Sequence, residues 1–456
     1  MMSNPLSERW EKVCRDLADS PAILAADSSV LRSFSQIETE AREFQLRFRE
    51  IPTGSVLALQ PGNSPVWPAL LLAAFRQGLV PLPLADTWRR WSFRQALELS
   101  GAILLLRVAM GKTDLEWLPL SSALTPVDAG FLKLTSGTTS APRLVRFEVA
   151  QLVADCDQIC ETKGITGDDL NYGVIPFSHS YGFSNLLTPL LCRGIRLVAS
   201  EDRMPRAILE GLARTRATVF PGTPTFFQAF GEMQNAPELP GLRLCISAGA
   251  PLTPSVALRF HERFGQKVRT FYGSSECGGI AYDSAEEIVT EPGYVGQPMT
   301  GVTITPQESG LIEVRSPAVG LGYFPTPEPA TYGSGRFIPG DLVHLTPEGL
   351  FLTGRASEII NVAGRKLNPL EVEAELTKCP GVKQAVVFGV NSGLRGEAPI
   401  VCVAGNVTAQ IIAQFAQRQL SEWQRPRDYW IVGEIPANDR GKISRRELAK
   451  RYLEQR

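Results

Sequence analysis

Residues Leu134–Arg143 read LTSGTTSAPR, a run of small and hydroxylated residues around a single glycine. Ser136, Thr138 and Thr139 supply hydroxyl donors, and Gly137 has no Cβ, so the backbone can turn sharply and bring its N–H groups to an anion. Lys133 and Arg143 bracket the run with positive charge. Such a loop can wrap a polyphosphate; by itself, the same composition also describes an ordinary polar turn. Immediately before it, Phe131–Thr135 (FLKLT) reads as a strand. Donors at the carboxyl end of a strand are well placed for a ligand.

Working outward, the segment before the loop alternates between two periods. Phe34–Phe48 has helical spacing, Gly54–Gln60 is a short apolar run, Asn63–Gln77 is helical again, and Ala102–Val108 supplies another buried strand. After the loop come a helix at Phe147–Thr162, a helix at Leu186–Leu191, a strand at Arg196–Ala199 and a helix at Met204–Ala213. Strand-length apolar runs alternating with helices predict an α/β fold, a sheet covered by helices on both faces.

Composition narrows the class. The chain has 456 residues, enough for two or more domains, and 44% hydrophobic against 20% charged residues is ordinary globular composition. Lys and Arg number 46 against 47 Asp and Glu, so no global field draws in nucleic acid or an anionic membrane. No nucleic-acid recognition motif is present. The amino terminus carries Glu8, Glu11 and Asp16 and lacks the apolar core of a signal peptide, and the longest apolar window, near Ala69–Phe75, is too short for an integral membrane segment. Eight cysteines stand singly, without a metal-like cluster, as in a reducing, cytoplasmic setting.

Further segments carry candidate chemistry, two of them at strand ends. VIPFSHSYGF (174–183) holds His179, one of three histidines, among Phe177, Tyr181 and Phe183. That pattern suits the wall of an apolar pocket, although aromatic residues at such spacing also serve as plain core. Leu242–Ala248 ends in Gly249, Ala250 and Pro251, where the backbone can approach a flat ligand. Arg269–Phe271 runs into Tyr272, Gly273, Ser274, Ser275 and Glu276.

With these motifs in place the chain resembles the adenylate-forming superfamily of acyl-CoA synthetases, luciferases and peptide-synthetase adenylation domains. The resemblance rests on five ordered motifs: Thr135–Arg143, YGSSE at 272–276, Gly340–Asp341, Thr353–Gly354–Arg355 and GKISR at 441–445. It implies a large amino-terminal α/β domain (1–354) of several subdomains, a hinge (355–358) and a mobile α+β domain (359–456). It implies ATP, Mg²⁺ and a small-molecule carboxylic acid as reactants, giving an acyl-adenylate. A thioester to CoA or to the phosphopantetheine of an acyl carrier protein follows.

The resemblance also distributes roles. Ser136, Gly137, Thr138 and Thr139 would hold the β and γ phosphates, with Thr135, Arg143 and Arg355 in the same ATP site; Tyr272 would stack on adenine and Asp341 would accept both ribose hydroxyls. Ser275 would meet the α-phosphate and Glu276 would hold Mg²⁺, a hard cation that prefers carboxylate oxygen. Lys442 would orient the acid and offset the charge of the transition state. His179, Tyr181, Ser247, Ala248, Gly249 and Ala250 would line the acyl pocket. Ser357 would be the hinge pivot, with Gly364 and Lys366 at a thiol tunnel.

The departures are Ser140 where relatives carry a second loop glycine, Arg143 where they carry lysine, and Pro436–Arg440 in place of a proline–lysine–threonine run. Arginine keeps the charge and changes its reach. Peptide-synthetase domains place an aspartate near the position of His179 to hold an amino group; an imidazole there favours a fatty or aryl acid over an amino acid.

Overall fold

A computed structural model describes residues 4–85, 90–108, 115–119, 128–135, 143–362, 364–392, 396–437 and 443–455. Ser136, Gly137, Thr138, Thr139 and Lys442, all expected at the site, lie outside the described residues.

Local chemistry sets the element ends. The helix Phe34–Phe48 starts at Ser33, whose hydroxyl accepts from Gln36 N while the Gln36 side chain accepts from Ser33 N, a reciprocal capping box. The helix Val149–Lys163 starts at a similar Glu148/Gln151 box and stops at Gly164, in the left-handed conformation. The strand Phe131–Thr135 appears where the sequence places it, but it pairs antiparallel with a second strand, Arg143–Phe147. The loop region therefore connects a β-hairpin rather than a strand and a helix. Arg143 and Arg146 interrupt that second strand's apolar run, which is why it reads as loop in the sequence; the helix begins only at Val149.

The chain divides into two compact units. The first comprises Met1–Thr305, Glu313–Pro339 and Pro347–Leu350, and the second Pro306–Ile312, Gly340–Thr346 and Phe351–Arg456. In the first, the central sheet runs Val30–Ser33, Pro21–Leu24, Arg196–Ala199, Leu170–Gly173, Val219–Gly222, Leu244–Ser247, Val268–Ser274, Gly278–Tyr282, Tyr294–Pro298. Strands 196–199, 170–173, 219–222, 244–247 and 268–274 are mutually parallel. The chain steps from Leu170–Gly173 to one neighbour and then to the other, a topological switch point. Ligands in open α/β sheets bind beyond the strand ends at such a point. The segment leaving this strand is the one carrying His179 and Tyr181.

The helix Val149–Lys163 buries a polar stripe rather than a purely apolar one. Asp155, Gln158 and Lys163 are all buried. Asp155 accepts from Gly279 N at 3.0 Å and from Ser184 Oγ at 2.6 Å. Gln158 donates to Ser316 Oγ at 3.1 Å. Lys163 donates to Asn185 Oδ1 at 2.6 Å and lies 3.4 Å from the centre of the Phe271 ring. Each polar group finds a partner, as burial demands.

In the second unit, Val382–Asn391 pairs antiparallel with Glu397–Gly405, which pairs parallel with Asp428–Val432. Strand alternation gives this sheet two apolar faces. Val387, Val401 and Val403 pack with Val372, Leu376 and Ile412, while Val386, Phe388 and Cys402 pack with Leu448 and Tyr452. Helices on both sides make the compact α+β unit. Among the described residues no helix is long and apolar enough to cross a membrane.

The buried Lys163 makes stability depend on pH. Desolvation pushes its pKa from 10.5 down to about 7, against the opposing pull of Asp155. Between those values the unfolded chain keeps a proton that the folded chain has lost, so stability rises with pH across that window, by up to about 1.4 kcal/mol per unit. Urea unfolding at pH 7.5 and pH 9.5 checks this: the parent should gain stability relative to Lys163→Met as pH rises. A difference between the two proteins that does not change with pH would refute it.

Candidate active site

The geometry starts from the hairpin that bears YGSSE. Val268–Ser274 and Gly278–Tyr282 pair antiparallel, with Ser274 opposite Gly278, so Ser275, Glu276 and Cys277 form the turn between them. Gly278 has a φ of +70°, and a Cβ there would stand 2.1 Å from Asp155 Oδ1. Glycine is required by both conformation and space. Within the turn Glu276 N donates to Ser274 Oγ at 3.2 Å.

Glu276 sits in a cage of hydroxyls. Tyr323 donates to Glu276 Oε1 at 2.9 Å, while Tyr332 and Gly320 N donate to its carbonyl oxygen at 2.8 Å and 2.9 Å. The two tyrosine rings meet edge-on with centroids 4.9 Å apart. Burial pushes both phenols above their ordinary range, and the Glu276 charge pushes them further, so each stays a donor. Tyr323 stands on the strand Gly322–Phe324, which pairs with Arg143–Phe147. The Arg143 guanidinium lies 4.2 Å from the Tyr323 ring centre and pairs with Glu328 at 2.5 Å. Thr135 closes the hairpin by donating to the Arg143 carbonyl at 3.3 Å. One continuous polar cluster therefore joins the two strand ends flanking the glycine-containing loop to the acidic turn.

That cluster bears on a divalent ion. Among the described residues no group of three or more His, Cys, Asp or Glu side chains could hold a metal, so the described part of the protein offers no cage of its own. It offers one carboxylate, Glu276, whose Oε1 is already steered by Tyr323. A single carboxylate complemented by substrate phosphates is the usual way Mg²⁺ is held, so the donor set fits.

The segment from the switch point packs against the same turn. Ser180 Oγ donates to Ser275 Oγ at 2.9 Å. His179 accepts from Tyr181 N through Nδ1 at 3.4 Å, opening the short helical turn Ser180–Gly182. The Tyr181 hydroxyl donates to the Ile246 carbonyl at 3.0 Å, and its ring tilts against Phe271 at 5.8 Å. Ser247 is buried and its hydroxyl has no hydrogen-bond partner among the described residues; Ala248 is also buried, whereas Gly249 is exposed with φ +86° and Ala250 is half-buried. Tyr272 is 8% exposed on the strand side of the turn.

The remaining expected residues belong to the second unit. Arg355 donates through Nε to Asp341 Oδ1 at 2.8 Å, so these two are brought together. Ser357 lies exposed in the single turn Ala356–Glu358. Gly364 has φ +86° and donates to Asn361 Oδ1 at 3.0 Å, and Lys366 is exposed on the short strand Arg365–Leu367.

Tyr323, Tyr332, Asp155 and Ser180 are absent from the sequence-based site. Lone tyrosines and one aspartate on a helix carry no motif, and only long-range pairing brings the tyrosines to Glu276 and the aspartate to Gly279. Removing the hydroxyl that steers this carboxylate, in Tyr323→Phe, should weaken ATP binding measured with Mg²⁺ present about tenfold, the worth of one hydrogen bond to a charged group, with little loss of thermal stability. Titration calorimetry reads the first and thermal unfolding the second; equal affinity for parent and variant would refute the steering role.

Comparison with known proteins follows the same lines. The AMP-binding enzyme family matches residues 10–324, and the AMP-binding enzyme C-terminal domain matches residues 371–442. A probable CoA ligase of Humulus lupulus is 30% identical over 353 residues, covering 72% of this chain and 67% of that protein. The oxalate–CoA ligase of Arabidopsis thaliana is 30% identical over 352 residues, covering 72% of this chain and 68% of that protein. The crystal structure of ATP-bound MatB from Rhodopseudomonas palustris shares the fold with a TM-score of 0.85 at 22% identity, covering 98% of this chain and 99% of that one. With its acidic hairpin, its paired strands around the glycine-containing loop and its separate α+β unit, the chain belongs to the AMP-binding enzyme family.

Proposed function

We propose that this chain is an AMP-forming acid–thiol ligase. It joins a non-amino carboxylic acid, fatty or aryl, to the α-phosphate of ATP with loss of pyrophosphate. It then passes the acyl group from AMP to the thiol of CoA or of a carrier protein's phosphopantetheine. The observation that carries the reading is the single cluster of Arg143, Tyr323 and Glu276, which ties the loop's flanking strand to a carboxylate suited to the polyphosphate end of ATP. The relatives named above support it as CoA ligases, each matched over about two thirds of its length, 67% and 68%.

Substitution at phosphorus asks for positioning and charge neutralisation more than for covalent help. Thr135, Ser136, Gly137, Thr138, Thr139 and Arg143 bind the β and γ phosphates, and Ser275, held by Ser180, meets the α-phosphate. Glu276 holds Mg²⁺, which supplies charge neutralisation on the polyphosphate when bound. Tyr272 faces adenine. Arg355 fixes the carboxylate of Asp341, which accepts from the ribose hydroxyls. Lys442 orients the attacking carboxylate and offsets the charge gained in the transition state. His179, Tyr181, Ser247, Ala248, Gly249 and Ala250 line the acyl side. The domains divide at 1–354 and 359–456 about a hinge at 355–358, with Ser357 as pivot and Gly364 and Lys366 beside the entering thiol. The eight cysteines are all unpaired, which suits a reducing cytoplasm.

A second reading, nucleotide and acyl binding without turnover, is favoured by one observation. Arg143 is already paired with Glu328, so it offers less charge to a phosphate than an unpaired cation would. Carboxylate-dependent ATP–pyrophosphate exchange over a panel of short, long, aromatic and amino acids separates the two. Exchange with a fatty or aryl acid, abolished by chelating Mg²⁺ and lowered at least about a hundredfold by Glu276→Ala and by Lys442→Ala, is expected. ATP binding without exchange for any acid would transfer the case to the second reading.

A further inference from the structure

Within the second unit, one guanidinium gathers four segments. Arg445 donates through Nε to the Val387 carbonyl at 2.9 Å, through Nη1 to Glu358 Oε2 at 2.5 Å, and through Nη2 to both Glu373 oxygens at 2.8 Å and 3.0 Å. Glu373 Oε1 also accepts from Val387 N at 2.7 Å. The three charged side chains are only 18%, 22% and 12% exposed. This is no surface ion pair, whose worth would be small; the planar fork uses every nitrogen in a partly desolvated setting. Burial pushes the Glu373 carboxyl up to about 7 even with the arginine beside it, so the guanidinium is what compensates two crowded carboxylates.

The position of each partner in the chain matters more than their number. Glu358 closes the turn Ala356–Glu358, next to Ser357. Arg445 opens the helix Arg445–Glu454, whose first turn is capped by Ser444 accepting from Glu447 N at 3.3 Å. Ile443, one residue before that cap, packs on the apolar face formed by Val386, Phe388 and Leu448. Ile443 and Arg445 thus anchor the chain on both sides of that cap, directly after Lys442 in the sequence.

We infer that Arg445 and Glu358 form a strut that couples the hinge turn at 355–358 to the helix start at 443–447, the segment that follows Lys442 in the chain, so that rotation at the hinge is passed to that segment. This rests on the proposed function, in which Lys442 serves adenylate formation and 355–358 turns between the two half-reactions. Arg445 is a positioning residue: it acts through Lys442 and touches no reactant. A purely structural ion cluster would, when broken, lower both half-reactions in step with stability. A strut that sets the lysine lowers the first half-reaction selectively.

The test uses the full chain with Glu358→Gln, Glu358→Asp and Arg445→Lys. Glu358→Gln should lower the maximal rate of carboxylate-dependent ATP–pyrophosphate exchange about tenfold or more, with the KM for ATP within about threefold. Thioester formation from preformed acyl-adenylate should stay within about threefold of the parent. Glu358→Asp, which keeps the charge, should recover part of the exchange, and Arg445→Lys, which loses the fork, should behave like Glu358→Gln. Hydrogen exchange read by mass spectrometry supplies an arm that needs no turnover: Glu358→Gln should speed exchange both at 356–360 and at 443–447, and leave the sheet at 382–405 protected. Faster exchange at 356–360 alone, or a parallel fall in both half-reactions that tracks thermal stability, would overturn the strut. A parent that shows no exchange with any acid would overturn the function while hydrogen exchange still decides the coupling.

Discussion

The candidate site depends on one buried carboxylate. Asp155 bonds Gly279 N in the hairpin and Ser184 Oγ in the segment from the switch point, and it sits where a Cβ on Gly278 would have to be. It therefore fixes, from behind, the two pieces of chain that meet at Ser275 and Ser180. A buried charge is tolerated only when its hydrogen bonds are made, and here both carboxylate oxygens are engaged. Losing Asp155 would leave a buried backbone N–H without its acceptor, which costs about 1–3 kcal/mol. The position of Glu276 follows from that arrangement.

Around this clamp two buried lysines face aromatic rings. Lys133 is buried with its ammonium 4.7 Å from the centre of the Phe147 ring, and Lys163 lies 3.4 Å from that of Phe271. Desolvation lowers the pKa of both, and Asp155 pulls each back toward its charged form. The same aspartate thus serves the hairpin by hydrogen bonding and both lysines by charge. Arg143 repeats the theme at the hairpin, over the Tyr323 ring and paired to Glu328. Its pairing answers the question raised by arginine in place of lysine. A guanidinium can stack, pair and hold its strand at once, which an ammonium with one point of charge does less well.

The second unit solves a different problem. Its sheet is covered on both faces, so alternate residues of Val382–Asn391 belong to separate apolar clusters. The polar junction of Arg445, Glu358 and Glu373 lies where the turn 356–358, the helix Pro369–Leu376 and the helix Arg445–Glu454 converge. Apolar faces give this unit stability without direction, whereas the guanidinium's geometry specifies which segment stands beside which.

Much of this protein was legible in order along the chain. Strand and helix periods predicted the α/β class, and hydroxyls and glycines at strand ends marked 134–143, 249–251 and 272–276 because backbone approach to an anion or a flat ligand demands those residue types. The capping boxes at Ser33 and Glu148 and the glycine stop at 164 are local chemistry, set by residues within four positions of one another. The strand Arg143–Phe147 was not readable, because two arginines masked its period and its partner strands lie at 131–135 and 322–324. Nor were Asp155, Tyr323 and Arg445 readable as positioning residues. Each is a common residue on an ordinary element, and its meaning comes from partners 124, 47 and 87 positions away in the chain. Sequence alone singled out the residues expected to meet a nucleotide. Tertiary structure decided what holds those of them that it describes, since burial and long-range pairing turn an ordinary side chain into a fixed one.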